Sequence, residues 1–234
     1  MIEQMNGAVY VTSDIHNEYR RFLHLMEKIR FKPTDTMYIL GDLFDRGNDP
    51  EPIQLWQYIK RHENIIPVLG NHDLWLLQHI RQHLDGKPTA YMYNTFQILL
   101  DFCSRQELEE ICAWIEGFPL YVKMQVGEQS FVMAHAQTYE DISQRAADDI
   151  LMADVDYDYF RDGVSGAISV TGHHPTDYLR WVLGKTDLEG SRKKNRIYAN
   201  SGKTVFCVDC GSGMGKPNDA LGCLRLNDLK EFYA

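Results

Sequence analysis

Three short polar clusters contain the kinds of residue that bind metal ions, and each follows directly after an apolar run rich in β-branched residues. The clusters are Asp14-Ile15-His16, Gly41-Asp42-Leu43-Phe44-Asp45-Arg46-Gly47 and Gly70-Asn71-His72-Asp73, and two later candidates are His135 and His173. Apolar runs of this kind are typical of buried strands, and in an open α/β sheet ligands bind beyond the carboxyl ends of the strands. The sequence therefore predicts that these clusters meet at one edge of a sheet and form a single site.

The chemistry that these residue types favour is hydrolysis at a pair of divalent metal ions. Asp14 and His16 share a face of the strand end, because they are two residues apart, and can bind one cation together. Asp42 is placed to be shared by two ions, and the shell of the second ion would be completed by Asn71, His135 and His173. Mixed nitrogen and oxygen ligands suit Mn, Fe or Zn better than Ca. Two such ions lower the pKa of a bridging water towards about 7, which suits phosphate esters because their uncatalysed hydrolysis is very slow.

Other residues of the same clusters are expected to act on the substrate. The guanidinium of Arg46 is suited to bidentate binding of phosphate, and Asn71 is a further candidate phosphate ligand. His72 is predicted to be the general acid that protonates the leaving oxygen, with Asp45 as the carboxylate that orients its imidazole. This division of roles assumes that Asn71 and His72, as neighbours leaving a strand, point to opposite sides.

Alternating strand and helix patterns predict parallel strands in the first third of the chain. Strands are expected over residues 8–13, 36–40 and 65–69. A helix capped by Asn17 should follow the first strand, and a second helix should begin after Pro52. This order is typical of right-handed β–α–β units, whose strands lie parallel in one sheet.

The rest of the chain divides into a helical part and a β-rich part. Residues from about 74 to 118 are predicted to be helical and to form an insert, or cap, over the carboxyl edge of the sheet, within one domain spanning residues 1–234. A second, largely antiparallel sheet is the simplest interpretation of the β-patterned runs that follow, at 120–126, 131–133, 167–170, 196–199, 204–208 and 223–226. The predicted fold class is therefore α/β, with two packed sheets and helices outside them.

Composition narrows the range of partners and compartments. The 234 residues carry 24 Lys and Arg against 33 Asp and Glu, a net charge of −9, which argues against nucleic acid as a partner because its phosphates are bound by clustered cations. The basic run Arg192-Lys193-Lys194 is interpreted as an exposed hairpin. No apolar stretch is long enough to cross a bilayer, so no membrane is expected and the cytoplasm is the expected compartment. The five cysteines are odd in number and irregularly spaced, so no disulfide framework is predicted.

Taken in order, the clusters resemble the five motifs of the calcineurin-like metallophosphoesterases. More narrowly, they resemble the phosphoprotein phosphatase branch, which includes bacterial and bacteriophage-type Ser/Thr phosphatases and is related to the symmetrical diadenosine tetraphosphatases. A later run, Val208-Asp209-Cys210-Gly211, resembles the closing strand of that family. The resemblance implies a β-sandwich of two mixed sheets flanked by helices. It also implies a metal at Asp14, His16 and Asp42, a second at Asp42, Asn71, His135 and His173, an acid pair of His72 and Asp45, and Arg46 as a phosphate ligand.

Several positions depart from the usual pattern of that family, and others match one of its branches better than the other. Asn17 stands where a glycine is usual. Asp73-Leu74 is closer to the diadenosine tetraphosphatase form, whereas Asp45-Arg46-Gly47 is the form usual in protein phosphatases. The family's second phosphate-binding arginine has no recognisable counterpart, and the nearest candidates are Arg145 and Arg161.

Three functions follow as hypotheses. The first is a dinuclear phosphatase that hydrolyses phosphomonoesters by attack of a metal-bridging hydroxide, with Ser/Thr phosphoproteins as the favoured substrates. The second is a symmetrical bis(5'-nucleosyl)-tetraphosphatase that cleaves phosphoanhydrides. The third is a metal-bound binding protein, against which His72 counts because a scaffold needs no general acid. All three imply two divalent ions, with Mn first and Fe or Zn as alternatives. The enzymes imply a phosphorylated protein or a small phosphoester as substrate, and the oligomeric state stays open.

Overall fold

A computed structural model describes residues 7–184 and 195–234. The predicted hairpin at Arg192-Lys193-Lys194 lies outside the described residues. The strands are β1 (Val9–Thr12), β2 (Thr36–Leu40), β3 (Ile65–Val68), β4 (Tyr121–Val126), β5 (Gln129–Ala134), β6 (Ile168–Thr171), β7 (Tyr198–Ala199), β8 (Val205–Cys207), β9 (Gly222–Arg225) and β10 (Lys230–Tyr233). The helices are α1 (Tyr19–Ile29), α2 (Pro52–Lys60), α3 (Asn71–Leu84), α4 (Asn94–Phe102), α5 (Arg105–Glu116), α6 (Ala147–Leu151), α7 (Tyr157–Asp162) and α8 (Thr176–Val182), with one 3-10 turn at Ile142–Gln144.

The first sheet has the strand order β10-β9-β1-β2-β3. β1, β2 and β3 are parallel, and β3 is an edge strand. Val9 lies beside Thr36, and Met37 beside Ile65. β9 runs antiparallel to β1, and β10 runs antiparallel to β9. The predicted parallel β–α–β units are confirmed, so the carboxyl ends of β1, β2 and β3 lie at one edge of the sheet.

The second sheet has the order β4-β5-β6-β8-β7 and is mixed, so the prediction of a largely antiparallel sheet is wrong. β4 pairs antiparallel with β5, and β7 with β8, but β5, β6 and β8 are parallel. Parallel neighbours need a long crossover, usually a helix, and α6 to α8 occupy these connections. The run predicted at 223–226 belongs to the first sheet, as β9. Two mixed sheets flanked by helices agree with the fold that the resemblance implies.

Side-chain alternation along the first sheet produces two cores. In β1, Val9 and Val11 point into the space between the sheets, where they pack with residues of the second sheet such as Phe131 and Val170. Tyr10 points the other way, into a core that the sheet forms with α1 to α5. Because neighbouring strand residues face opposite sides, both faces of the sheet are covered. No helix in the described ranges is long and apolar enough to cross a membrane.

The helical part begins earlier than predicted, because α3 starts at Asn71 rather than near residue 74. Asn71 and His72 therefore lie in the first turn of a helix, and the assumption that they leave a strand on opposite sides is wrong. Apolar residues of α3, α4 and α5 share one core with α1 and α2. The division of the chain into one domain with an insert at about 74–118 stays a prediction.

Candidate metal and phosphate site

Left-handed backbone turns bring the polar clusters together just beyond the strands. Asp14, His16, Asp42 and His173 have φ angles of 51°, 50°, 53° and 62°, values that are uncommon for residues other than glycine. The turns are fixed by backbone hydrogen bonds, since the N–H of Asp14 donates to the Gly41 carbonyl and that of His16 to the Asp42 carbonyl, each at 3.0 Å. Strained conformations persist where the surroundings determine them and cluster at functional sites.

The first group of possible ligands consists of Asp14, His16 and Asp42, all buried. The Nδ1–H of His16 donates to the Phe44 carbonyl at 2.9 Å. Its Nε2 therefore carries the free lone pair, and this atom lies 3.9 Å from a carboxylate oxygen of Asp14 and 3.9 Å from one of Asp42. A hydrogen bond at one ring nitrogen that leaves the other for a metal is the usual arrangement of a ligating histidine.

The second group consists of Asp42, His135 and His173, with Asn71 beside them. The Nδ1–H of His135 donates to the Leu40 carbonyl at 2.7 Å. Nε2 of His135 lies 2.8 Å from Oδ1 of Asn71, 3.4 Å from Oδ1 of Asp42 and 3.1 Å from Nδ1 of His173. In each of the two groups the possible ligand atoms lie within 4.8 Å of one another, and Asp42 belongs to both.

These atoms are suited to a pair of metal ions because, with His135 neutral, two acceptor atoms face each other. With its Nδ1–H donated to Leu40, a neutral His135 presents a lone pair at Nε2 to the acceptor oxygen of Asn71. Burial alone would lower the pKa of His135, but the charge and hydrogen bond of Asp42 raise it to about 10. The carboxylates therefore favour a positive charge at this position, and a bound cation would supply that charge. Burial also raises the pKa of Asp14, which accords with a carboxylate that needs a cation to stay ionised.

His72 and Asp45 form a buried pair beside the two groups. Nδ1 of His72 lies 3.0 Å from Oδ2 of Asp45, and its Nε2 faces the site, 3.9 Å from Oδ2 of Asp42. The rings of Trp75 and Tyr93 each lie 4.9 Å from the His72 ring, centroid to centroid. An imidazole held by a carboxylate at one nitrogen and open at the other is arranged for proton transfer.

Arg46 is the predicted cation that the structure places at the site. Its Nη1 lies 3.3 Å from Nε2 of His16 and 3.3 Å from the sulfur of Met214. The two candidates for a second phosphate-binding arginine are exposed and paired elsewhere. Arg145 lies 2.9 Å from Asp141, and Arg161 forms ion pairs with Asp158 and Asp162.

Asp73, in the third cluster, and Asn17, directly after the first, have contacts that the sequence did not predict. Asp73 accepts the backbone N–H groups of Asp42, Leu43 and Gly70, at 2.9, 3.0 and 3.1 Å, and so ties the second cluster to the start of α3. Asn17 does not cap α1, because Glu18 occupies the N-cap position. It has a φ of 62°, which asparagine tolerates better than most residues. Its amide donates to Thr95 Oγ1 at 2.7 Å.

Residues 7–205 match the family model described as calcineurin-like phosphoesterase. The chain belongs to this family. Members of the family depend on two metal ions, and the two groups described above are candidate ligands for such ions. The identity of the metal stays a prediction.

Curated relatives of this phosphoesterase carry a narrower name. A symmetrical bis(5'-nucleosyl)-tetraphosphatase of Methylobacillus flagellatus is 34% identical over 131 residues, which are 55% of this chain and 43% of the relative. One of Klebsiella pneumoniae is 29% identical over 168 residues, or 68% and 55%. The chain thus spans about half the length of these relatives. A solved structure provisionally assigned as a diadenosine tetraphosphatase covers 100% of this chain and 95% of its own, with a TM-score of 0.66 and 17% identity, and supports the fold alone.

Proposed function

We propose that this phosphoesterase is a two-metal hydrolase that cleaves the phosphoanhydride bridge of dinucleoside tetraphosphates. The observation that supports phosphate hydrolysis is the convergence of two groups of possible metal ligands that share Asp42, with Arg46 and His72 beside them. The substrate class rests on the names of the curated relatives. This choice of substrate differs from the one made from the sequence, which placed Ser/Thr phosphoproteins before dinucleoside tetraphosphates.

The residues at the site have two roles, to bind the metal ions and to bind the phosphate. One ion would be held by Asp14, His16 and Asp42, and the other by Asp42, Asn71, His135 and His173. Bound divalent ions, with Mn²⁺ first and Fe or Zn as alternatives, would lower the pKa of water and offset charge on the phosphoryl oxygens. Arg46 binds a phosphoryl oxygen through its guanidinium, which forms strong charge-assisted hydrogen bonds to phosphate. The amide nitrogen of Asn71 donates to the same phosphate group.

His72 donates a proton to the leaving group. A water oxygen forms the new bond to phosphorus while the P–O bond to the leaving group breaks. The electron pair of the broken bond takes the proton from Nε2 of His72, whose charged imidazole Asp45 stabilises through Nδ1. In symmetrical cleavage of a tetraphosphate the leaving group is a nucleoside diphosphate, a weak base that needs little protonation. An alkoxide is a strong base and needs much more.

The pairing of His72 with Asp45 therefore favours a second candidate function, a phosphoprotein phosphatase. The pair is buried and its hydrogen bond is 3.0 Å long. Such an acid would contribute most when the serine or threonine alkoxide of a phosphoprotein leaves. This second function was the first choice from the sequence.

The test is a side-by-side comparison of substrates with the Mn²⁺-loaded protein. The expected result is that kcat/KM for diadenosine tetraphosphate exceeds kcat/KM for a phosphoserine peptide and for p-nitrophenyl phosphate, with ADP as the product. A higher value for the phosphopeptide would establish the second candidate instead. Binding of two ions without turnover of any of the three substrates would overturn both and leave a binding protein.

A further inference from the structure

Every second residue of segment 91–95 lies against the acid pair. Tyr91, Tyr93 and Thr95 are partly or fully buried, whereas the residues between them are exposed, Met92 to 85%. Tyr91 and Tyr93 precede α4, and Thr95 lies in its first turn. One face of this segment therefore belongs to the site, although residue 91 is far from residues 45 and 72 in sequence.

The hydroxyl of Tyr91 donates a hydrogen bond to Oδ2 of Asp45. The same oxygen lies 3.0 Å from Nδ1 of His72. The other oxygen, Oδ1, is buried and has no hydrogen-bond partner among residues 7–184 and 195–234. Since rotation about the last bond of an aspartate side chain is only weakly restricted, the orientation of this carboxylate depends on two hydrogen bonds to one oxygen.

Tyr91 is itself held in place as a donor. Its ring contacts His79 of α3 and Phe96 of α4, with centroid distances of 4.6 and 6.1 Å. Burial raises the pKa of Tyr91, and the negative charge of Asp45 raises it further. The hydroxyl therefore keeps its proton, and the two helices determine where that proton points.

The same segment also fixes the backbone of Asp45. Thr95 Oγ1 accepts the backbone N–H of Asp45 at 3.1 Å and the side-chain amide of Asn17 at 2.7 Å. Asp45 is thus held at its backbone by Thr95 and at its carboxylate by Tyr91. The backbone of Asp45 has a left-handed φ of 67°, which aspartate adopts more readily than most residues.

We propose that Tyr91 is a positioning residue, whose hydroxyl holds the Asp45 carboxylate in the orientation that directs His72 towards the leaving oxygen. The proposal rests on the proposed function, since it requires His72 to be the general acid. Tyr91 acts through Asp45 and not on the substrate. Its loss should therefore matter in proportion to how much protonation the leaving group needs.

The test compares two substrates of similar size that differ in the basicity of the leaving group, p-nitrophenyl phosphate and phenyl phosphate. Tyr91→Phe removes the hydroxyl and keeps the ring. It should lower the single-turnover rate about tenfold on phenyl phosphate, as part of the gain that general acids give, and less than about twofold on p-nitrophenyl phosphate. KM and metal content should not change. Tyr233→Phe in β10 is the matched control, because it also removes a hydroxyl that bonds a carboxylate, that of Glu231.

A double-mutant cycle shows whether Tyr91 acts through Asp45. In an Asp45→Asn background, Tyr91→Phe should have little further effect, because coupled residues are not additive. Full additivity, or an equal loss on both substrates from Tyr91→Phe alone, would overturn the positioning role.

His72→Asn separates this proposal from the function on which it depends. If His72→Asn loses rate selectively on phenyl phosphate and Tyr91→Phe does not, only the positioning role is wrong. If His72→Asn slows both substrates equally, the acid step fails and the role of Tyr91 fails with it. A metal-loaded wild-type protein that hydrolyses neither aryl phosphate would overturn the proposal as well, because His72 would then protonate the leaving group of neither ester.

Discussion

At the scale of the residue, Asp42 is the centre of the site. Its carboxylate belongs to both groups of possible metal ligands, and its Oδ1 also accepts the backbone N–H of His72 at 3.0 Å. Burial alone would raise the pKa of Asp42, but the neighbouring imidazoles of His135, His72 and His16 hold it well below its usual range. The carboxylate is therefore charged at neutral pH, as a ligand shared by two cations must be.

Asp42→Asn should lose metal at both positions, whereas His16→Ala should chiefly weaken one. Asparagine keeps the size of the side chain and tolerates the left-handed φ of 53°, so the change removes charge with little effect on the backbone. The measurement is the metal-to-protein ratio by elemental analysis after dialysis against a fixed Mn²⁺ concentration. The same ratio in the two variants would contradict the shared role of Asp42.

The sequence largely predicted which candidate site residues would lie together, but not which residues would support them. Asp14, His16 and Asp42 follow strands at spacings that place them on one edge, and the structure brings them together. Nothing in the sequence spacing shows that Tyr91 reaches Asp45, because that contact depends on how two helices pack. Asn17 was misassigned for a similar reason: its side chain has a tertiary partner, Thr95, that competes with the local cap.

At the scale of the element, the junction between β3 and α3 couples the second cluster to the third. Gly70 is the N-cap residue of α3, and a Cβ atom built on it would lie 2.3 Å from both the backbone nitrogen and Oδ1 of Asp42. Real Cβ atoms essentially never come so close to other heavy atoms. The close approach of these two turns therefore requires glycine at position 70.

Gly70→Ala should displace Asp42 and weaken metal binding. Overpacking of this kind should lower the free energy of unfolding by about 1–3 kcal/mol. The matched control is Gly202→Ala, whose Cβ would lie 3.7 Å from the nearest atom and whose backbone is likewise outside the left-handed region. It should change stability by less than about 0.5 kcal/mol. Chemical denaturation and elemental analysis of both variants provide the measurements, and wild-type metal content in Gly70→Ala would refute this account of the junction.

The first half of the fold was easier to predict than the second for a physical reason. Strand–helix–strand order in β1 to β3 specifies parallel pairing through right-handed helical crossovers. The apolar runs of β5 and β8 and the alternating pattern of β6 indicate strands but carry no information about the direction of their partners. Pairing of β9 with β1 joins residues such as Thr12 and Cys223, which no local pattern connects.

At the scale of the whole molecule, the order of the sequence motifs identified the family but not the preferred substrate. The residues of the five motifs are those expected to bind the metals and the phosphate, which are common to the family. Substrate choice depends on surfaces around them, and the chain spans 43% and 55% of the two relatives compared above. The sequence therefore ranked phosphoproteins first, whereas the curated relatives are named symmetrical bis(5'-nucleosyl)-tetraphosphatases.

The most direct test of the central claim, two-metal hydrolysis, is the dependence of turnover on bound metal. The protein should be chelated exhaustively, shown by elemental analysis to be metal-free, and assayed on diadenosine tetraphosphate during titration with Mn²⁺. Turnover should be absent at first and should return as the second ion binds, because the chain supplies no covalent nucleophile in this account and two ions act together on the phosphate. Full activity in the metal-free protein would contradict the account.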